Sequence, residues 1–165
     1  KRSHNLAAAV KGFQALSSRL GLGTSCRLYL PLSMAVTRVM MIETAGQLFG
    51  VPMDVIAETV RVSFAGLRRI KAAETMVLRG GIIPVLRLRR LLGLPDDDRE
   101  RDSEAVMVVR LGNQLVGVVI DQFKEGIDII LKPLDGVIGA LSSYSGTAIL
   151  GDGRVLLVLN MRDIL

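Results

Sequence analysis

The sequence predicts an all-β chain with minor helix: two similar small β units, preceded by a partial α/β extension. Three observations carry this expectation. From about residue 36 the chain breaks into short strand-like runs, with turn signals every several residues. Two stretches of that region then recur further along, in the same order. The first 34 residues follow a different pattern, a helix end and then two strands.

In chain order, Leu6–Lys11 reads as the last turns of a helix that Gly12 stops. Strands are expected near 13–19 and 25–30, joined by Gly21-Leu22-Gly23-Thr24. In the second, Cys26, Leu28 and Leu30 share one face, and Pro31 ends the pattern. Ten further strands are expected at 36–44, 47–52, 55–62, 75–79, 82–87, 105–111, 114–121, 126–132, 146–150 and 154–160. Ala45-Gly46, Gly112-Asn113 and Asp152-Gly153 have the chemistry of tight hairpins. Short helices are expected at 87–92, 133–141 and 160–165.

The repeat fixes the organisation. Gln47-Leu48-Phe49-Gly50-Val51-Pro52-Met53-Asp54 matches Gln114-Leu115-Val116-Gly117-Val118-Val119-Ile120-Asp121 at an offset of 67 residues. The stretch from Gly80 to Leu92 matches Gly153 to Leu165 at an offset of 73. The difference is a loop-sized insertion in the second copy. Two β units of roughly 36–94 and 103–165 follow, packed together with a groove between them. Each alone would bury only a modest core. Gly50 and Gly117 sit mid-strand at matching places, where glycine costs stability and marks a bulge or a close approach. Between the units, Pro95–Asp102 is a charged connector, and its consecutive carboxylates Asp96, Asp97 and Asp98 read as solvated.

Composition narrows the function. Half of the 165 residues are hydrophobic, yet there is no Trp, with two Tyr and four Phe, so the core rests on Val, Ile, Leu and Met. No apolar run reaches the roughly 18 residues a spanning helix needs, so direct membrane insertion is not expected. One cysteine, Cys26, forms no internal disulfide and reads as a small buried hydrophobe of a cytoplasmic protein. One Cys and one His, His4, build neither a His/Cys zinc site nor a His-based triad. The serines have no base beside them, and no acid/base pair can be nominated. The net charge of +5 invites nucleic acid, but aromatic residues do not interleave with the basic ones.

Gly21-Leu22-Gly23-Thr24, a strand, and then Leu30-Pro31-Leu32-Ser33 resemble the junction in the chemotaxis kinase CheA between its ATP-binding and regulatory domains. Leu78–Leu88, Val118–Asp121 followed by Ile130–Leu134, and Gly146–Val155 are similar to the CheA/CheW pattern. The resemblance covers nearly the whole chain. It implies a CheW-like fold of two five-stranded, SH3-like barrels. It implies a division into 1–34, the tail of the ATP-binding domain with its hinge, and 35–165, the regulatory domain.

The implied role is docking without chemistry of its own. The implied partners are a CheW-type coupling protein, chemoreceptor tips and the parent kinase's ATP-binding domain, in the cytoplasm at membrane receptor arrays. The implied partner surface comprises Met53, Ile56, Glu58, Thr59 and Arg79, with an ion pair between Glu58 and Arg79. Core packing is the competing reading for Met53 and Ile56, and plain solvation for Glu58 and Arg79. Gly21, Gly23 and Thr24 would be the remnant of an ATP-site element. No cofactor is expected for this chain, with ATP and Mg left to the parent kinase. Asn160 stands where the family often has Asp. The alternatives are a stand-alone CheW-type adaptor and, in a different class, a small basic RNA-binding barrel.

Overall fold

A computed structural model describes residues 13–19, 21, 23–29, 36–70, 73–95, 102–134 and 142–165. The helix end expected at 6–11, the Leu30–Ser33 hinge, the carboxylates Asp96–Asp98 and most of the helix expected at 133–141 lie outside these residues. The chain divides into two compact units, Lys1–Ala35 and Val36–Leu165.

The first unit contains an antiparallel hairpin of β1 (Phe13–Arg19) and β2 (Gly23–Tyr29), with Phe13 opposite Tyr29 and Arg19 opposite Gly23. Gly21 and Gly23 take φ of 76° and 99°, which supplies the reversal that a side chain would resist.

The second unit is built from β3 (Val36–Thr44), β4 (Gln47–Pro52), β5 (Ile56–Ser63), β6 (Leu67–Ile70), β7 (Ala73–Leu78), β8 (Gly81–Arg87), β9 (Ser103–Leu111), β10 (Gln114–Ile120), β11 (Gln122–Ile130), β12 (Tyr144–Ile149) and β13 (Val155–Leu159). Two short helices, α1 (Leu88–Leu91) and α2 (Met161–Ile164), follow β8 and β13. The all-β expectation holds, and both helices fall where the sequence placed them. Strand β6 was not expected. Its Leu67-Arg68-Arg69-Ile70 run has no apolar alternation, and it is held by pairing with β7 and by Leu67 packing on the first barrel's core.

The strands form a six-stranded sheet in the order β5-β9-β10-β8-β7-β6 and a five-stranded sheet in the order β11-β3-β4-β13-β12. Each sheet encloses its own core. Met76, Ile83, Val85, Val106, Val108 and Val119 fill the first barrel. Val39, Ile129, Ala148, Leu156 and Val158 fill the second.

The two-barrel expectation holds, with β6 added as a sixth strand of the first sheet. One expectation is corrected: the barrels do not follow the halves 36–94 and 103–165, because each half lends its first hairpin to the other half's sheet. Hairpin β3–β4 lies with β11–β13, and hairpin β9–β10 lies with β5–β8. The exchange places a third core between the barrels. Ile42, Phe49 and Val51 meet Ala105, Met107, Val109, Val118 and Ile120 there, capped by Leu88, Leu159 and Met161 of the helical ends. Strand β9 is therefore buried on both faces, from Glu104 to Val109. A repeat in sequence is equally compatible with closed and exchanged halves, since the same contacts satisfy both.

The joins are parallel pairs at matching register. Val158 stands opposite Gly50, and Val85 opposite Gly117. Neither ladder breaks there, so these glycines mark close approach rather than a bulge. A Cβ on Gly50 would sit 3.1 Å from Leu156 Cδ2, and one on Gly117 would sit 3.1 Å from Val106 Cγ1 and 3.2 Å from Val85 Cγ2. Register breaks fall instead at Ile56/Glu58 in β5 and at Phe123/Gly126 in β11, at matching places, and at Tyr144/Gly146 in β12.

Candidate docking surface

After Pro52 the chain makes one 3-10 turn, Met53–Val55, and enters β5, an edge strand of the six-stranded sheet. Burial alternates strictly along β5: Ile56, Glu58, Val60 and Val62 are half-buried, and Ala57, Thr59, Arg61 and Ser63 are exposed. Val60 and Val62 pack on the first barrel's core, while Val55 and Ile56 pack on the central core. Ile56 is thus in large part a packing residue. Met53 is half-buried, and its sulfur lies 3.6 Å from where a Cβ on Gly126 of β11 would be. It spans the two sheets at the point where the chain crosses between them. Thr59 is exposed on the outer side of β5.

Arg79 and Gly80 form the β7–β8 turn, with φ of 49° and 82°. Two successive positive φ values match the twist of a tight hairpin, but the first is uncommon for arginine. Glycine or asparagine adopts it more cheaply. From this turn Arg79 Nη2 reaches Glu58 Oε2 on β5 at 3.1 Å, so the expected ion pair forms. The Arg79 side chain is 79% exposed and that of Glu58 25%. An ion pair this open contributes little to stability. What it does is tie the edge strand to the turn across the mouth of the first barrel. The structure thus brings Glu58 and Arg79 together beside Thr59, and turns Ile56 inward.

Sequence reasoning missed the most exposed apolar surface. Val77 and Ile82 are cross-strand partners flanking the Arg79 turn, at 64% and 66% exposure. Ile149 and Val155 are partners at the matching place in the second barrel, at 64% and 65%. The available signal was the unbroken apolar runs Ile82-Ile83 and Val155-Leu156-Leu157. In a strand with one buried face, every second residue of such a run must face outward.

Two charged networks frame the first barrel. Arg87, at the end of β8, bonds Glu74 at 3.0 Å and Glu104 at 3.0 Å. Burial opposes the Arg87 charge, but the hydrogen bond to Glu104 and the nearby Glu74 outweigh it and raise its pKa. Asp121, just after β10, receives Arg89 of α1 and the backbone N–H of Ala45 at 2.8 Å. That carboxylate joins the β3–β4 turn of one sheet to the helix that follows the other. Gly21, Gly23 and Thr24 line the β1–β2 turn and are exposed. Among the described residues no group of His, Cys, Asp and Glu is arranged to hold a metal, and no helix is long and apolar enough to cross a membrane.

Comparison with known proteins agrees with this architecture. The family model described as the CheW-like domain matches residues 38–165. The chain belongs to the CheW-like domain family. It is 27% identical over 153 residues to the chemotaxis protein CheA of Halobacterium salinarum, covering 93% of this chain and 22% of that protein. It is 26% identical to CheA of Bacillus subtilis over 161 residues, 98% of this chain and 24% of that one. A gliding motility regulatory protein of Myxococcus xanthus is 30% identical over 155 residues, 93% of this chain and 20% of that one. The chain therefore spans about a fifth to a quarter of the length of these relatives. Among solved structures, the scaffolding protein TtCheW of Thermoanaerobacter tengcongensis has the same fold, with a TM-score of 0.64 and 21% identity over 78% of this chain and 92% of that one. The family match and the solved structure both support the two-barrel CheW-like fold described above.

Proposed function

We propose that this chain is the docking end of a chemotaxis-type histidine kinase, holding the kinase to a CheW-type coupling protein and to chemoreceptor tips. The observation that carries the docking role is the solvent-facing aliphatic pair Val77–Ile82 on each side of the Arg79–Glu58 clasp. Exposed cross-strand aliphatic residues around an ordered charged pair have the make-up of an interface, with an apolar centre and a polar rim. Glu58, Thr59 and Arg79 supply that rim, and Met53 the neighbouring apolar contact.

Membership of a kinase rather than a free adaptor is supported by the match to CheA of Bacillus subtilis, which takes in 98% of the chain. It therefore runs through much of the first unit, whereas the family model begins at residue 38. In this reading, residues 1–34 are the tail of the ATP-binding domain, and Gly21, Gly23 and Thr24 belonged to its nucleotide-side turn. ATP and Mg act in the parent kinase, and this chain carries no cofactor. The complex works in the cytoplasm beneath membrane receptors, and the stretch Leu30-Pro31-Leu32 passes receptor state to the ATP domain.

The test is an isothermal titration of the 165-residue chain with the coupling protein of the same organism. Saturable one-to-one binding is expected, with a loss of about tenfold or more in the Val77→Glu/Ile82→Glu double variant. Both positions are exposed, so circular dichroism should show the variant folded. Absence of binding by the folded parent chain would sink the docking role. Intact binding by the double variant would move the site off this face.

A further inference from the structure

Among the described residues the chain crosses between the two sheets twice, and the repeat makes the crossings counterparts. At one, β4 of the five-stranded sheet runs through Met53–Val55 into β5 of the six-stranded sheet. At the other, β10 of the six-stranded sheet runs through Asp121 into β11 of the five-stranded sheet. Asp54 and Asp121 hold matching places in these crossings, at the offset of 67 residues.

The crossing at Asp121 is clamped. Arg89 donates Nε to Asp121 Oδ1 at 3.0 Å and Nη2 to Oδ2. Ala45 N–H donates to Oδ2 at 2.8 Å, and the Asp121 N–H donates to the Glu43 carbonyl at 3.1 Å. The β3–β4 turn of the other sheet is thus held on both sides of Thr44. The Arg89 and Asp121 side chains are only 17% and 16% exposed. At that depth a paired charge is costly to separate. The other crossing has no such clamp. Asp54 and Arg162, the counterparts, are exposed and make no ion pair among the described residues. The Met53–Val55 turn is closed by the backbone bond from Ile56 N–H to the Met53 carbonyl, with no side-chain cap.

Beneath the clamp lies a group that opposes it. Thr44 is 0% exposed, two residues beyond Ile42 on the face of β3 that meets the central core. Its Oγ1 has no hydrogen-bond partner among the described residues. A buried hydroxyl without a partner favours any arrangement that lets it reach water.

We propose that the seam between the barrels is a hinge with a latch. The Met53–Val55 turn is the hinge, the Arg89–Asp121 pair is the latch, and the orphaned Thr44 hydroxyl keeps the latched state only marginally favoured. On release the barrels turn about the Met53–Val55 crossing, and the Thr44 end of the seam admits water. A few residues at the end of an element can absorb such a motion. The inference rests on the docking reading for its use alone. A partner held against Met53 on the first barrel bears on the hinge itself, and so biases the placement of the second barrel.

Residue-resolved amide hydrogen exchange on the 165-residue chain tests the latch. The Ala45 and Asp121 amides, which both lie in it, should exchange through a partial opening, faster than the amides of β9. Thr44→Val should slow exchange at both roughly tenfold, because opening no longer hydrates a hydroxyl. Arg89→Gln should speed it roughly tenfold, and Arg162→Gln, at the open counterpart, should change nothing. Residual dipolar couplings then separate a hinge from a fraying turn. In the Arg89→Gln variant, the amides of β6–β8 and of β11–β13 should require two different alignment tensors. Ala45 and Asp121 amides as slow as those of β9, unchanged or faster exchange in Thr44→Val, or one common tensor in Arg89→Gln would each overturn the proposal. The Thr44→Val arm stands even if Arg89→Gln does not fold. No partner enters these measurements, so their failure leaves the docking reading intact, and failure of coupling-protein binding leaves the hinge intact.

Discussion

The two barrels share a backbone plan and differ in how charge finishes each end. In the first, Glu58 and Arg79 clasp the mouth, and Glu74, Arg87 and Glu104 occupy the opposite end of the interior. In the second, the register positions of that inner network hold Gly146, Asn160 and Thr37. Backbone does the closing there. Lys132 bridges to Thr147, and its carbonyl oxygen passes so near Gly146 that a Cβ would overlap it. Asn160 is turned to Asp163 at 3.0 Å instead. The inter-barrel latch is one-sided too. Arg89 and Asp121 are joined, whereas the matching Arg162 and Asp54 are both exposed and unpaired among the described residues. Duplication thus kept what packing demands, the Gly50 and Gly117 approaches above all, and left surface charge free to diverge. A molecule with two like ends would bind the same partner twice, while these two ends present different chemistry.

The largest expected effect breaks the part both barrels share. Phe49→Ala empties a fully buried site in the central core and should cost about 3–5 kcal/mol. Because that core belongs to both barrels, chemical denaturation should still show one transition for residues 36–165. Two separated transitions would mean that the barrels fold independently.

Gly50→Ala and Gly117→Ala should each cost about 1–3 kcal/mol, since each added methyl meets branched side chains from strands on both sides. Similar losses at the two sites would bear out the repeated register. A clear inequality would show that one parallel join is more tolerant than the other.

Arg87→Ala should cost about 2 kcal/mol, because it leaves Glu104, which is nearly buried, without its guanidinium. Asn160→Ala in the second barrel should fall within about 0.5 kcal/mol, as surface changes usually do. Thermal melts of the two variants side by side measure that contrast.

The smallest change in stability is expected at the clasp. Arg79→Gly removes an exposed ion pair worth under about 1 kcal/mol and relieves a left-handed arginine, so stability should hold or rise slightly. Coupling-protein affinity should nonetheless fall. A variant that melts no lower yet binds less well would mark the strained arginine as present for recognition.

Much of this was legible in the sequence. The β class, most strands, both terminal helices and the pairing of Glu58 with Arg79 were readable, because turn chemistry, apolar spacing and motif resemblance each leave a local mark. The exchange of hairpins was not, since Gly50 opposite Val158 leaves no trace in either segment alone. Strand β6 was hidden by its two arginines, which its pairing with β7 tolerates. Ile56 shows the limit of reading a site from resemblance: the residue lies on an edge strand, but its side chain serves the central core. The aliphatic pairs Val77–Ile82 and Ile149–Val155 look like ordinary core residues until the outer face of each strand is known.

The central claim is that the face around the Arg79 turn docks a partner. Amide hydrogen exchange on the 165-residue chain, free and saturated with its coupling protein, tests this most directly. Slowed exchange from Ala57 to Thr59 and from Val77 to Ile82 is predicted. Binding that leaves both stretches unprotected while slowing exchange elsewhere would contradict it.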